Sequence, residues 1–359
     1  MKLQEGQKRV CETCFGKEEA LYFQVEGNVH WVKHYLCNGR YEIQGLLAIG
    51  GFGCVFVAND RWNYDNQVVI KTPFYMGDYC RPYITRSQEI FEKQIRSLNR
   101  LYEQERKHLC GFSNAGFDSI VNLNDYFTDF SLDLATPFRD AAGVEYYVSD
   151  ELQKNAPYVV MKYIEGNTLR EVISKQPLDV ERTLSVARQI LALLCYLHKN
   201  RKTQKGRPFY YLLCDLKAEN IIVSDEQVTL IDFGAIKSYW MDQEGIDVPI
   251  FVTDGYAAPE VYSGSLELRD NQRIDNRFDI FTVGALMVHC LTGKHPQQFL
   301  VHHSPPKHDF DLSEYSHIPT SVNSIIQKST SKNRENRYQS ADEMLDEVRQ
   351  MLRNLGQVV

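Results

Sequence analysis

Residues 211–234 read YLLCDLKAENIIVSDEQVTLIDFG, and four polar groups in this stretch govern how the rest of the chain is read. Asp215 is an acceptor able to orient a hydroxyl and take its proton. Lys217, two residues on, carries a cation suited to neutralising a phosphoryl group in transit. Asn220 and Asp232 supply hard oxygen donors of the kind magnesium prefers. Between them, 220–223 and 228–231 read as two short apolar strands around the polar Ser224-Asp225-Glu226-Gln227, a hairpin that would return Asp232 to Asn220. A lone loop carboxylate or turn asparagine is ordinarily only solvated; these groups at this spacing are the parts a phosphoryl transfer needs.

Asp-Leu-Lys-x-x-Asn at 215–220, followed at this distance by Asp-Phe-Gly at 232–234, resembles the catalytic and metal-binding loops of the protein kinase superfamily. The resemblance covers roughly residues 40–355 and implies an α+β, two-lobed fold. A small β-rich lobe with one main helix would span about 40–162, and a larger, mostly helical lobe about 166–355. Residues 1–39 remain as an N-terminal extension. The implied activity is that of a serine/threonine protein kinase using ATP and magnesium, with Asp215, Lys217, Asn220, Asp232, Lys71 and Thr253 as its catalytic residues.

Composition is compatible with this. The 359 residues, 43% hydrophobic and 24% charged, suffice for a sizeable core. A net charge of −7 and the lack of a long basic run speak against a nucleic-acid partner. No apolar run approaches the ~18 residues needed to span a bilayer, and the N-terminal MKLQEGQKRVCETC has no secretory apolar core. The expectation is a cytoplasmic protein acting on protein substrates, with no membrane partner. Nine cysteines, mostly in apolar contexts such as Cys195 and Cys290, suit reduced thiols. Cys11-x2-Cys14 and, 19 residues on, His34-x2-Cys37 match the paired spacing of a tetrahedral zinc site clamping a hairpin within 20–32. His30 is a rival ligand, and a β extension with incidental thiols would need no metal.

Leu47-Ala48-Ile49-Gly50-Gly51-Phe52-Gly53-Cys54-Val55-Phe56-Val57 reads as strand, glycine-rich turn, strand, and glycine lets main-chain N–H groups approach phosphates closely. By resemblance Leu47, Gly50, Gly51, Phe52 and Gly53 contact the nucleotide, although Ala48 stands where the family has its first glycine. Val68-Val69-Ile70-Lys71 resembles the strand whose lysine holds the α and β phosphates. The resemblance further implies Val55 and Val69 above the adenine, Ile222 below it and Met161 behind it. The main chain of Lys162 and Ile164 would meet its edge, and Glu165 the ribose. Lys71 should pair with a carboxylate on the next helix, 87–102, whose Phe91, Ile95, Leu98 and Tyr102 recur at helical spacing. The family register points to Gln94 at that position, with Glu92 as the choice if the helix is shifted. Residues 106–127 read as a turn and a strand, and 128–156 as an insertion with a hairpin at Ala141-Ala142-Gly143.

Further on, Leu184, Ala187, Ile190, Leu191, Leu194 and Leu197 mark a largely buried helix over 180–200, with His198 as a capping or surface residue. The basic 199–207, KNRKTQKGR, reads as a solvated loop open to an acidic substrate or partner. Leu213-Cys214 replaces the family's His-Arg, so no buried cation is expected there to await an activation-segment phosphate. The resemblance makes Thr253 a bridge between Asp215 and Lys217, pairs Glu260 with Arg337, and has Asp279 anchor the catalytic loop. Gly293 and Pro296 should end the helix bearing Asp279, and His302, His303 and His308 should lie on the surface. The alternative, motivated by Ala48, Cys214 and Gln94, is a nucleotide-binding pseudokinase or signalling scaffold.

Overall fold

Alternation along the strands sets the first architecture. The computed structural model describes residues 20–113, 116–242, 252–261, 274–301, 307–308 and 310–356. It divides into two units, Met1–Ala115 with Val121–Tyr163, and Gly116–Ile120 with Ile164–Val359.

In the first unit β1 (Ala20–Val25) and β2 (Asn28–Lys33) form the hairpin expected within 20–32. Its two-residue turn, Glu26-Gly27, has both φ angles positive, at 49° and 82°, which suits the twist of a tight hairpin. Next come β3 (Tyr35–Leu36), β4 (Tyr41–Ile49), β5 (Gly53–Asp60), β6 (Asn66–Pro73), α1 (Arg81–Ile84) and α2 (Gln88–Ser113). After them follow β7 (Leu123–Asp129), β8 (Phe138–Arg139), β9 (Glu145–Tyr146), α3 (Asp150–Lys154) and β10 (Ala156–Lys162). The main sheet is antiparallel in the order β3-β4-β5-β6-β10-β7. Cys54, Phe56 and Ala58 of β5 are buried with Val68 and Ile70 of β6, and Phe23 of β1 lies against Phe56, ring centroids 6.1 Å apart. Val55, Val57, Val69 and Lys71 take the opposite face, paired Val55↔Lys71 and Val57↔Val69.

α2 corrects the expected helix end at Tyr102. It continues to Ser113 because Leu109 and Phe112, both buried, prolong the stripe of Phe91, Ile95, Leu98 and Tyr102. Residues 106–113 are therefore helix, and the strand expected before 127 is β7. The insertion holds its hairpin, β8 and β9, with Gly143 at φ 80°.

The second unit comprises β11 (Asn167–Thr168), α4 (Leu169–Lys175), α5 (Val180–Leu197), β12 (Arg201–Lys202), β13 (Pro208–Leu212), β14 (Ile221–Ser224), β15 (Gln227–Leu230) and β16 (Lys237–Trp240). It ends with α6 (Arg277–Thr292), α7 (Thr320–Ser329) and α8 (Ala341–Asn354). Every side chain of α6 from Phe278 to Leu291 is buried, as expected of a helix apolar all round. Side chains close the helix starts: Thr168 and Glu171 form a capping box on α4, Asp179 accepts from Arg182 N–H on α5, and Ser340 accepts from Glu343 N–H on α8. Each such cap contributes about 1 kcal/mol. Gly293 ends α6 at φ 70°, its N–H on His289 O.

Residues 199–207 are mostly exposed, as expected of a solvated stretch, but within them Arg201–Lys202 form β12, which pairs with β13, and β13 with β16, in a three-stranded sheet. Aromatic pairs join β13 and β16, Tyr210 with Tyr239 at 4.6 Å on one face and Phe209 with Trp240 at 5.6 Å on the other. His302 and His303 lie outside the described residues, and the main chain of His308 pairs with Leu300. A β-rich unit with one long helix, and a second unit built mostly of helices, make the α+β class expected from the sequence.

Candidate active site

The geometry of the second unit starts at Asp279 on α6. Its buried carboxylate accepts the N–H groups of Leu213 at 2.9 Å and Cys214 at 3.1 Å, and meets His198 Nε2 at 2.9 Å. A carboxylate away from water needs such partners. The same bonds hold Cys214 at φ 66°, a left-handed conformation that costs a non-glycine residue about 1–2 kcal/mol. The chain is thereby turned just before Asp215. His198 does cap α5, but its ring is buried on Asp279 and not at the surface. Leu213 and Phe233 are both buried.

Asp215 stands among three donors. Lys217 Nζ reaches Oδ2 at 2.7 Å, Thr253 Oγ1 reaches Oδ1 at 2.7 Å, and Lys217 Nζ also donates to Thr253 Oγ1 at 3.1 Å. Asn220 Nδ2 donates to the Asp215 carbonyl at 3.0 Å, which orients its amide and turns the oxygen elsewhere. β14 and β15 turn through Ser224↔Gln227, and Ile231 N–H then bonds Asn220 O at 2.9 Å. The hairpin thus returns the chain beside Asn220 as expected, and Asp232 follows, its Oδ1 accepting Gly234 N–H at 2.9 Å. The Asp215 side chain keeps 19% of its surface exposed, enough for a hydroxyl to reach it.

Glu260 and Arg337 pair in fork geometry, both N–H···O distances 2.8 Å. The Arg337 side chain is fully buried, and it also donates to Ser331 O and Arg277 O.

A buried lysine stands near Cys214. Lys237, opposite Leu212 in the β13–β16 register, is 5% exposed and makes no ion pair among the described residues. Burial lowers its pKa, while burial pushes the Cys214 thiol well up, so both groups are driven toward neutrality.

In the first unit Lys71 finds neither Gln94 nor Glu92. Its Nζ lies 2.9 and 3.0 Å from the two carboxylate oxygens of Glu105. Glu105 follows Tyr102 by three residues and precedes Leu109 by four, so it falls on the buried stripe of α2. Gln94 donates to Tyr79 O at 3.1 Å, and Glu92 accepts from Gln88, Arg96 and Ser149 N–H. The available signal was a carboxylate at an apolar position, hidden because the helix was ended too early.

The glycine-rich turn rests on the chain after β6. Phe74 N–H donates to Phe52 O at 3.1 Å and Tyr79 N–H to Gly51 O at 3.2 Å. The three glycines differ: a Cβ on Gly50 meets nothing closer than Gly53 O at 3.9 Å, and one on Gly51 meets Asp78 at 3.3 Å. A Cβ on Gly53 would lie 1.8 Å from Tyr102 Oη. Packing by α2 therefore demands glycine at 53, while Gly50 has room. Leu47 and Phe52 are exposed, Val55 and Val69 half-buried on the face of Lys71, and Met161 buried in β10. Lys162 gives its N–H to Asn122 O at 3.0 Å, which leaves its carbonyl as the main-chain group a base could address. Ile164 is half-buried and Glu165 exposed, and Ile222 is half-buried on β14.

Of the expected zinc ligands, Cys11 and Cys14 lie outside the described residues. His34 faces Glu42 and His30 faces Asp133, each at 3.5 Å, and Cys37 N–H donates to Asp129 at 2.9 Å. Among the described residues no three His, Cys, Asp or Glu side chains group to hold a metal, so zinc is not supported.

A sequence model described as protein kinase domain matches residues 41–353. The chain is 26% identical over 321 residues to serine/threonine-protein kinase A of Synechocystis sp., covering 86% of this chain and 52% of that protein. It is 28% identical over 329 residues to a probable serine/threonine-protein kinase of Clostridium acetobutylicum, covering 88% and 40%. Against serine/threonine-protein kinase PknG of Mycolicibacterium smegmatis it is 25% identical over 316 residues, covering 88% and 33%. The chain spans about half, or less, of the length of these relatives.

Proposed function

The chain belongs to the protein kinase domain family, and on that footing we propose that it transfers the γ-phosphate of ATP to serine and threonine hydroxyls of proteins. The observation that carries the reading is the carboxylate of Asp215 held by Lys217 and Thr253, with Asn220 on its main-chain carbonyl. Asp215 accepts the proton of the attacking hydroxyl, and Lys217 offsets charge on the phosphoryl group. Lys71, ordered by Glu105, holds the α and β phosphates. In the first unit the turn 50–53, Val55, Val69, Met161 and Lys162 are the nucleotide-binding residues of this reading, and in the second unit Ile164, Glu165 and Ile222.

Asn220 and Asp232 fit magnesium: both offer hard oxygens, and the Asn220 amide is oriented by its bond to Asp215 O. When bound, magnesium neutralises charge on the phosphates. Zinc has no part in this reading.

We also propose independence from activation-segment phosphorylation. Cys214 supplies no guanidinium beside Asp215, so no arginine stands there to be paired by a phosphate. The scaffold alternative loses its main motive once Lys71 has the buried carboxylate of Glu105. Among the described residues no helix is long and apolar enough to cross a membrane, and we place the protein in the cytoplasm.

The test is an intact-mass time course of phosphatase-treated protein with ATP and magnesium, alone and with a generic protein substrate, beside Asp215→Ala. Added phosphates in the wild type alone are expected. Transfer no greater than that of Asp215→Ala, on itself and on the substrate, would overturn the reading in favour of a scaffold.

A further inference from the structure

No catalytic role absorbs the basic stretch 199–207. It holds Lys199, Arg201, Lys202, Lys205 and Arg207 with no carboxylate among them, in a chain of net charge −7. The fold uses these cations in two ways. The arginines are anchors: Arg201 donates to the carbonyls of Tyr196, Leu197 and Lys199 at 2.8–2.9 Å. Arg207 pairs with Asp242 at 2.8 Å and lies 3.8 Å over the ring of Trp240. The turn is closed by Thr203 N–H on Arg207 O at 2.9 Å and by Gly206 at φ 79°.

The lysines are left outside this network. Lys199, Lys202 and Lys205 are exposed and make no ion pair among the described residues. Cations carried on an ordered hairpin lose less conformational freedom on meeting a ligand than cations on a free loop. With no neighbouring acid in the stretch to neutralise them, they form a local positive field on an otherwise acidic chain, which steers anionic groups toward it.

We propose that the β12–β13 hairpin is a docking surface for a short acidic segment of a polypeptide. Three lysines match a few carboxylates, the complement of a short acidic segment. A nucleic acid fits less well, because its affinity is built from many phosphate contacts along a continuous basic surface. The docking role is independent of the catalytic assignments, and its readout is binding.

The experiment is fluorescence anisotropy of a labelled oligoglutamate peptide with the full chain and with Lys199→Glu/Lys202→Glu/Lys205→Glu. Lys199→Gln/Lys202→Gln/Lys205→Gln serves as a milder variant, and thermal unfolding checks each fold. The wild type should bind, more weakly as salt rises. The glutamate variant should bind at least ~10-fold less tightly, with the glutamine variant between. Equal binding by wild type and both variants, or no binding at all, overturns the proposal. So does tighter, lysine-dependent binding of a single-stranded oligonucleotide or of anionic lipid vesicles.

Discussion

Lys71 and Glu105 each make the other's burial tolerable: their side chains are 12% and 2% exposed. Breaking such a pair by removing one partner costs about 3–5 kcal/mol. Glu105→Gln, which keeps the shape and loses the charge, should destabilise the protein and lower kcat/KM for ATP at least ~10-fold. Gln94→Ala should leave kcat/KM within ~3-fold, since a single exchanged hydrogen bond is worth about 1 kcal/mol or less. Equal losses in a steady-state assay would return the partner role to Gln94. His289 carries a pH dependence. Burial and nearby His295 push its pKa down to about 4, and its Nδ1 shares a hydrogen bond with the hydroxyl of Tyr256. As pH falls the unfolded chain takes up this proton first, near 6.5. The contribution to stability is therefore complete above about 6.5 and is lost between there and about 4, by up to ~1.4 kcal/mol per pH unit. Denaturant unfolding across that window should show the slope in wild type and a flatter profile in His289→Gln.

At the level of elements, two contacts tie helices to what they support. α2 approaches β5 so closely that Tyr102 Oη bonds Thr72 O at 3.0 Å in the space a Gly53 side chain would need. Gly53→Ala should cost about 1–3 kcal/mol through overpacking, read as a lower Tm without nucleotide. Gly50→Ala should leave that Tm unchanged and act, if at all, on ATP affinity. A lower Tm for Gly50→Ala would show that the turn is packed at both glycines. In the second unit Arg337 joins the segment before α8 to Glu260 and to the start of α6. Arg337→Ala removes the buried fork pair with Glu260 and should lower the unfolding free energy by about 3–5 kcal/mol.

For the whole molecule, the β1–β2 hairpin adds a layer over one face of the six-stranded sheet. Phe23 and His30 both reach the ring of Phe74, at 6.1 and 4.9 Å. Its order rests on packing, so Phe23→Ala should cost about 3–5 kcal/mol, while chelator should leave Tm unchanged. Metal analysis should find less than about half an equivalent of zinc per chain. A full equivalent, lost in Cys11→Ser together with stability, would restore the zinc reading.

The grouping of Asp215, Lys217 and Asn220, with the chain returned beside Asn220 ahead of Asp232, was legible in the sequence because these residues are joined by a few residues and one hairpin. Short strands, turn residues and spacing suffice to bring such groups together. The strand–glycine–strand run and Lys71 were legible for the same reason, since period-two alternation sets which side chains share a face. The partner of Lys71 was not, because it lies 34 residues away and depends on where α2 stops. Helix length was decided by Leu109 and Phe112 finding a core, which no local propensity announces. The same holds for Gly53, whose need for glycine comes from Tyr102, and for Arg201–Lys202, whose pairing with Pro208–Phe209 forms only across the intervening turn. The sequence by itself determined the local arrangement of contiguous loops; the tertiary structure decided the pairings between distant elements, because their free energy resides in burial that exists only once those elements are packed.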